Sequence, residues 1–441
     1  MDTTHGAAGT RRRPGVLRQR DFRLLWLGET TSGLGASITT VALPLVAVVE
    51  LRADTFAVGL LAAAVWLPWL VIGLPAGAWV DRVRRRPLLI ACDVVSAALY
   101  VSVPVAAWCD VLTLAQLLVV AVMCGVSAVF FDTAYHAYIP AVLDERDLLE
   151  GNAKLQGSEA GTRVVGRGTA GLIAQAFGAV AGLLIDALTF VVSAVCLLMI
   201  RVREPAPSAP DATATLRRRI GEGLRFVRHD PYLRPMVTYG AVLNMALMGY
   251  QAVQIVFLVR TVGVSEATVG VLIMAGSLGG ILGALLATAV GRRFGSARGM
   301  LVLQAVTSPF ALLMPLAAPG AGLLLFAVGA FMVGTGVAVC NVVVGSFRQR
   351  YCPPELLGRV VATTMMLNHS TIPLGSLLGG LLGEALGLRP TMWIMTGMVA
   401  SCWLILALGP MRRRRDLPHA YEARPVPDSA GSAVGAVDAA D

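Results

Sequence analysis

The stretch "GAWVDRVRRRP", residues 77–87, decides the fold, because it places one acid and four arginines directly after a long apolar run. Arginines at the end of an apolar segment hold that end on the cytoplasmic side of a membrane. A charged turn can also hold neighbouring helices against one another. The stretch therefore bears on both topology and mechanism.

Composition assigns the chain to membrane proteins. Of its 441 residues 56% are hydrophobic and 14% are charged, and its mean hydropathy is +0.71. Soluble proteins carry about 25% charged residues. The net charge of +9 is scattered between apolar blocks, with no basic domain. We therefore expect no nucleic-acid partner.

Cysteine usage indicates neither disulfides nor a metal site. The seven cysteines are widely spaced, without a CxxC pair or a His/Cys ligand pattern, and they fit small apolar packing positions. The N-terminus has the basic residues of a signal peptide but leads into a full-length span without a small-residue cleavage site. We expect it to stay attached.

Twelve apolar blocks are long enough to cross a bilayer, which takes roughly 20 helical residues. They are 22–48, 55–80, 87–108, 112–139, 161–178, 179–200, 236–258, 268–290, 299–317, 321–346, 360–386 and 390–410. An even number puts both termini on one side. Nearly all basic residues lie in the connections on that side, whereas the other side offers only Arg52, Arg260 and Arg389. Both termini are therefore predicted to be cytoplasmic, in a multi-pass protein of the cell membrane.

The blocks divide the chain into two halves. The predicted units are a cytoplasmic tail at 1–21, a six-helix bundle at 22–200, a cytoplasmic linker at 201–235, a second six-helix bundle at 236–410 and a disordered cytoplasmic tail at 411–441. Within the linker, Leu216, Ile220, Leu224 and Val227 recur at helical spacing among arginines. This pattern fits either an amphipathic helix at the inner surface or a solvated basic linker.

The halves resemble each other at an offset near 208 residues. Arg84 and Arg85 match Arg292 and Arg293, and the glycine-rich segment 166–178 lies opposite 374–387. Together these matches predict an all-α membrane protein with twelve transmembrane helices in two pseudo-symmetric bundles. A transporter built in this way binds its substrate at the midplane and rocks one half against the other.

The opening stretch resembles the loop between helices two and three of the major facilitator superfamily, of general form G-x-x-x-D-R-x-G-R-R. Gly77, Asp81, Arg82, Arg85 and Arg86 are in register, and Arg84 replaces the usual glycine, which puts the tight turn in doubt. The segments "LPWLVIGLPAGAWVDR", "FFDTAYHAYIP", "DALTFVVSA" and "LLGRVVATTM" look like the branch of drug, macrolide and siderophore exporters.

The resemblance implies a gate. In the family, the aspartate of the loop sits near the start of the eleventh helix and the second arginine pairs with an acid on the fourth. Carried over, the gating motif is Gly77, Asp81, Arg82, Arg85 and Asp132, with Asp132 as the partner of Arg85. The arginines can equally be anchors on the positive inner side, and both roles are compatible.

Ionisable residues inside the spans are candidates for proton coupling, because a charge at the centre of a membrane helix costs about 2.5–3.5 kcal/mol. Glu29, two turns into the first span, is the leading candidate, with a structural hydrogen bond as the alternative. Asp186 could instead pack helices, Asp93 could pair with a nearby arginine, and His369 could be a hydrogen-bonded packing residue. The first half holds most of these groups, so coupling is expected there.

Polar side chains predict a cavity that accepts a bulky, mostly apolar solute. Arg167 stands where related exporters have proline, and it could bind an anionic group, neutralise an acid or extend to the inner surface. The uncharged candidates, which could also serve helix packing, are Asn244, Tyr250, Gln251, Gln254, Asn341 and Asn368.

The resemblance to exporters implies a secondary active efflux transporter that exchanges protons for a drug or secondary metabolite. An importer or uniporter of a small organic solute is the alternative. The chain has no nucleophile elbow, metal cluster or phosphate loop, so we expect no enzyme, no cofactor and no ATP site. The expected partners are a small-molecule substrate, protons and the lipid bilayer, and a monomer is sufficient.

Overall fold

A computed structural model describes residues 16–80, 82–144, 147–202, 204 and 216–418. The regular structure within these residues is helical throughout. The helices are α1 Arg20–Val49, α2 Thr55–Val80, α3 Arg85–Trp108, α4 Leu114–Val142, α5 Leu148–Phe177, α6 Ala179–Met199, α7 Leu216–His229, α8 Leu233–Val256, α9 Glu266–Phe294, α10 Ser296–Thr307, α11 Leu323–Tyr351, α12 Pro354–Leu386, α13 Leu388–Ser401 and α14 Trp403–Ala407. A π-helical segment, Phe257–Val262, continues α8, and a 3-10 helix, Ser308–Leu316, continues α10. A long helical segment is thus present at each of the twelve predicted positions.

Ten of these segments are apolar enough to cross a membrane when judged by length and hydropathy over the described residues. The other two are α5 and α12, which are 30 and 33 residues long. Both pack against the opposite half, α5 on α9 and α12 on α2. Part of each surface therefore faces protein instead of lipid, and α5 carries five charged residues.

The two halves repeat one packing scheme, as predicted. In the first half α1 packs on α5 and α6, α2 on α4, and α3 on α4 and α6. In the second half α8 packs on α12 and α13, α9 on α11, and the 3-10 helix after α10 packs on α11 and α13. Gly178 and Gly387, 209 residues apart, each form the whole connection between the fifth and sixth helix of a half. Their φ angles of 85° and 89° explain why glycine is used at both.

Close contacts between the halves occur at two glycine crossings. Gly59 near the start of α2 meets Gly380 near the end of α12, and Gly270 near the start of α9 meets Gly171 near the end of α5. All four glycines lie toward the end of the molecule opposite the start of α1. Nearer the other end, a side chain at Gly77 or Gly161 would meet no atom within 4 Å. Over the described residues, the close glycine contacts between the halves therefore lie at one end.

The connection between the halves contains α7, which packs on α8 and α12. Val227 is buried, whereas Leu224, Arg225 and Arg228 are exposed, so this part of α7 is amphipathic. The side chains of Leu216 and Ile220, and residues 203 and 205–215 of the linker, lie outside the described part of the chain.

The tail expected to be disordered from residue 411 is instead folded in its first part. Met411 and Leu417 are buried, and the Leu417 amide donates to the hydroxyl of Ser296. This segment packs at the start of α10 because buried apolar side chains and hydrogen bonds hold it there. Residues 419–441 lie outside the described residues.

Candidate functional site

The charged loop joins α3 to the segment that follows α6. Arg84 has φ −67° and ψ 127°, an extended conformation that any residue adopts, so no glycine is needed at this position. The backbone amides of Arg85 and Arg86 donate to the two carboxylate oxygens of Glu204 over 2.7 and 2.5 Å. The Arg86 side chain donates to the carbonyls of Leu197 and Leu198, over 2.8 and 2.7 Å. Glu204 therefore caps the start of α3, where helix amides lack partners.

The second half has a matching cap. Asp416, 212 residues after Glu204, accepts a hydrogen bond from the backbone amide of Ser296 over 2.9 Å at the start of α10. The carbonyl of Arg415 accepts from the amides of Ala297 and Arg298, each over 3.1 Å. Sequence reasoning missed both carboxylates. The available signal was an acid shortly after the sixth helix of each half at the repeat offset.

The predicted gate is only partly described. Asp81 lies outside the described residues. A side chain at Gly77 on α2 would meet no atom within 4 Å, and Arg82 is exposed. Asp132 lies 3.5 Å from His136, one turn along α4, and the ion pairs among the described residues do not join it to Arg85.

Glu29 faces α5 across a small pocket lined by Thr30, Ser158, Glu159 and Thr162. Glu159 is paired with Arg163 on the same helix over 3.1 Å. Three further carboxylates, Asp93, Asp132 and Glu159, lie within electrostatic range of Glu29. The structure thus brings three of the sequence-predicted acids, Glu29, Asp93 and Asp132, into one acidic cluster.

Asp93 is completely buried on α3. Among the described residues, neither carboxylate oxygen has a hydrogen-bond partner. Ser193 on α6 lies beside it, outside hydrogen-bonding geometry. Burying a polar group without a partner costs about 1–3 kcal/mol, so Asp93 is costly to bury in this arrangement.

Asp186 is also completely buried, but it is well paired. It accepts hydrogen bonds from the hydroxyls of Thr39 on α1, over 2.5 Å, and Thr189, over 3.2 Å. Gly35 on α1 lies against the same group, where a side chain would collide. Asp186 therefore joins α1 to α6, which favours the helix-packing alternative.

Arg167 bridges the two halves just inside one glycine crossing. Its guanidinium donates to the Ser277 hydroxyl on α9 over 3.1 Å. The buried side chain of Tyr250 on α8 lies within electrostatic range. The structure therefore brings two predicted cavity residues, Arg167 and Tyr250, together between the halves.

His369 also bridges the halves. It lies at the contact between α12 and α2, whereas Arg167 lies at the contact between α5 and α9. Its ring lies 5.7 Å from the ring centre of Trp69 and 6.0 Å from that of Trp66, both on α2. Its neighbour Asn368 points instead toward Gly240 on α8, within the second half. Sequence reasoning did not select the tryptophans, because nothing in α2 indicates which of its faces meets α12.

The other predicted cavity residues are dispersed. Asn244 and Gln251 are half-buried, Gln254 is buried, and Asn341 is exposed. Over the residues that the structure describes, no group of three or more His, Cys, Asp or Glu side chains is placed to hold a metal ion.

Comparison with known proteins identifies the family. The sequence profile of the transmembrane secretion effector family matches residues 14–428. "Multidrug efflux pump Tap" of Mycolicibacterium fortuitum is 30% identical over 404 residues, covering 89% of this chain and 97% of that protein. "Macrolide efflux protein A" of Streptococcus pyogenes is 20% identical over 388 residues, covering 87% and 94%. A solved bacterial homologue of the iron transporter ferroportin, in its inward-facing state, aligns with a TM-score of 0.72 at 15% identity, covering 91% of this chain and 100% of that one. The chain therefore belongs to the transmembrane secretion effector family of the major facilitator superfamily.

Proposed function

We propose that this protein is a secondary active exporter that moves a small organic molecule out of the cell in exchange for protons. The observation that carries the proposal is the pair of glycine crossings, which hold the described parts of the two halves together at one end. Such an arrangement suits alternating access, in which the halves rock about a central site.

The distribution of arginine supports an orientation in the membrane for the protein with its glycine crossings in contact. With both termini in the cytoplasm, the glycine crossings lie at the outer face. The space between the halves then opens inward, where an exporter collects its substrate. Rocking would open the crossings outward and close the cytoplasmic ends. One chain contains both halves, so a monomer is sufficient for this cycle.

The acidic cluster supports proton coupling. Glu29 is half-buried at a small pocket, and its surrounding charges include Asp93, Asp132 and Glu159. Negative charges close to a carboxylate favour its binding a proton. Glu29 is therefore the proposed proton site, and Arg167, which bridges the halves, is a proposed substrate contact. The printed names of the two relatives, a multidrug efflux pump and a macrolide efflux protein, support export and a drug-like substrate.

The proposal can be tested in everted membrane vesicles, in which the cytoplasmic face points outward. The vesicle interior is acidified, the macrolide erythromycin is added, and proton release and drug uptake are followed together. We expect both with the native chain. Glu29→Gln should still bind erythromycin but release no protons with it.

Glu50→Gln is the matched control, because Glu50 is an exposed glutamate at the end of the same helix. It should couple like the native chain. Full coupling in Glu29→Gln would contradict the assignment of the proton site. Uptake without proton movement would point to uniport, and outward movement of drug from the vesicles would point to import.

A further inference from the structure

Two tryptophans and a histidine form an aromatic cluster between the halves. Trp66 and Trp69 stand one turn apart on α2, and the His369 ring from α12 lies against both. The ring planes of His369 and Trp69 differ by 26°, so the two rings are stacked. The face of Trp69 therefore accommodates a flat, polar ring that comes from the opposite half.

The three side chains are half-buried, so part of each ring remains exposed. Among the described residues, one ring nitrogen of His369 is held: Nδ1 donates to the carbonyl of Met365 on its own helix over 2.8 Å. The imidazole can therefore leave the tryptophans without breaking a hydrogen bond to α2.

Acidic charge surrounds this site on the first half. Asp132 on α4 lies within electrostatic range of His369. Its side chain is 51% exposed and lies 3.5 Å from His136, one turn along the same helix. Glu29 lies within electrostatic range of Asp132 in turn. The nearby cation Arg163 is paired with Glu159 over 3.1 Å, which leaves the cluster acidic.

An aromatic pair beside a carboxylate has a chemical preference. The face of an indole ring attracts a cation placed within about 6 Å of its centre, and the attraction is stronger when water is excluded. The carboxylate adds a charge partner. Neutral or anionic groups gain neither contribution, so the combination selects organic cations.

The position of the site suits a transported molecule. Trp66 is seven residues along α2 from Gly59, which corresponds to about 10 Å at 1.5 Å per residue. The tryptophans therefore lie about 10–15 Å inward of the crossing between Gly59 and Gly380. This is near the middle of the helices, where transporters of this architecture place substrates.

We propose that Trp66, Trp69 and Asp132 bind the cationic group of an organic-cation substrate, and that the imidazole of His369 occupies its place in the ligand-free protein. The inference rests on the proposed function and adds a substrate class to it. Binding displaces the His369 ring, which loosens one contact between the halves. Occupation of the site is thereby linked to the rocking motion.

The test is equilibrium binding to the purified full-length protein in detergent, without a gradient. The probes are tetraphenylphosphonium and triphenylphosphine oxide, an uncharged molecule with similar phenyl rings. The native chain should bind the cation at least tenfold more tightly. Trp66→Leu and Trp69→Leu should each raise its Kd at least tenfold, and Asp132→Asn should raise it severalfold.

Trp108→Leu is the matched control, because Trp108 is exposed at the far end of α3. Trp66→Phe and Trp69→Phe keep a ring in place and should weaken binding by an intermediate factor, which separates loss of the aromatic face from misfolding. Unchanged affinity in both leucine variants, or equal affinity for the uncharged probe, would overturn the proposal. So would weaker binding in His369→Ala, because the imidazole would then be a ligand.

The two proposals fail separately. Export of erythromycin by a protein that does not prefer the cation would leave the exporter standing and remove the cation site. Tryptophan-dependent binding of the cation, without export of either compound, would leave the site and remove the exporter.

Discussion

Gly59 and Gly380 bring the backbones of α2 and α12 into direct contact: a Cβ atom on Gly59 would lie 2.7 Å from the Cα of Gly380. The second crossing repeats this relationship, because a Cβ atom on Gly270 would lie 2.9 Å from the backbone nitrogen of Gly171. Each crossing joins the second helix of one half to the fifth helix of the other. The closed end is therefore as pseudo-symmetric as the bundles.

Valine at either crossing should prevent closure of this end, because the obstructing atoms belong to the backbone and cannot rotate away. We expect Gly380→Val and Gly171→Val each to lower erythromycin export at least tenfold, measured in everted vesicles at equal amounts of membrane-inserted protein. Gly161→Val on α5 is the control, since a side chain there meets no atom within 4 Å. Normal export by both crossing variants would mean that the crossings do not have to close.

Much of the fold could be predicted because hydropathy and charge act locally along the chain. Helix positions follow from apolar length, and the break at Gly178 follows from the meeting of two apolar blocks without a loop. The acids at Glu204 and Asp416 recur near the repeat offset, but their role as caps could not be predicted, because their partners are defined only when α3 and α10 are in place.

The site was predictable in its residue types more than in its geometry. Buried acids are conspicuous in an apolar chain, so Glu29, Asp93 and Asp186 were selected. Whether such an acid is paired depends on a second helix: Asp186 accepts a hydrogen bond from Thr39, whereas the Asp93 carboxylate has no hydrogen-bond partner among the described residues. Asn368 faces its own half because of helix rotation, which composition does not fix.

The native cysteines offer a test of topology. Cys109, at the outer end of α3 in the predicted orientation, is exposed, whereas Cys352 after α11 is buried. Burial, reinforced by the nearby Asp230, raises the pKa of Cys352 to about 11, so little reactive thiolate is present at neutral pH. A membrane-impermeant maleimide added to intact cells at pH 7 should label Cys109 and leave Cys352 unmodified.

Cys109→Ser is the control, because this variant should not be labelled in intact cells. Labelling of Cys109 only after the cells are broken open would reverse the predicted orientation. Because a raised thiol pKa suppresses the thiolate below that pKa, labelling of Cys352 in opened membranes should increase as the pH rises toward 11.

The two carboxylate caps should stabilise the starts of α3 and α10. Glu204→Ala removes the acceptor for two backbone amides, and we expect a loss of about 1 kcal/mol in the free energy of unfolding. Asp416→Ala should cost less, because Asp416 is exposed. The double variant should show the sum of both losses, since the caps belong to different halves.

Thermal unfolding in detergent measures these differences. Glu384→Ala, at an exposed glutamate near the end of α12, is the control for loss of one negative charge. Unfolding of Glu204→Ala at the same temperature as this control would show that the cap contributes nothing to stability.

The hydrogen bond between Thr39 and Asp186 should serve structure and not coupling. Thr39→Val removes one of the two hydroxyls that donate to Asp186, and it should lower the free energy of unfolding by about 1–3 kcal/mol. Proton release per folded molecule should remain at the native level. Thr40→Val is the control, because Thr40 is the exposed neighbour of Thr39. It should change neither the free energy of unfolding nor proton release. Loss of proton release in Thr39→Val at native stability would instead place Asp186 in the coupling pathway.

Asp93 should show the reverse pattern, because it is buried without a hydrogen-bond partner among the described residues. Asp93→Asn keeps the shape of the side chain and removes the ionisable group, so thermal stability should stay level or rise. Proton release on addition of erythromycin should fall severalfold, since the variant has one fewer carboxylate near Glu29.

Asp110→Asn makes the same change at an exposed residue with φ 56°, a conformation that asparagine also adopts, and should behave like the native chain. Lower stability of Asp93→Asn with unchanged proton release would show that Asp93 is a packing residue whose partner forms in another conformation.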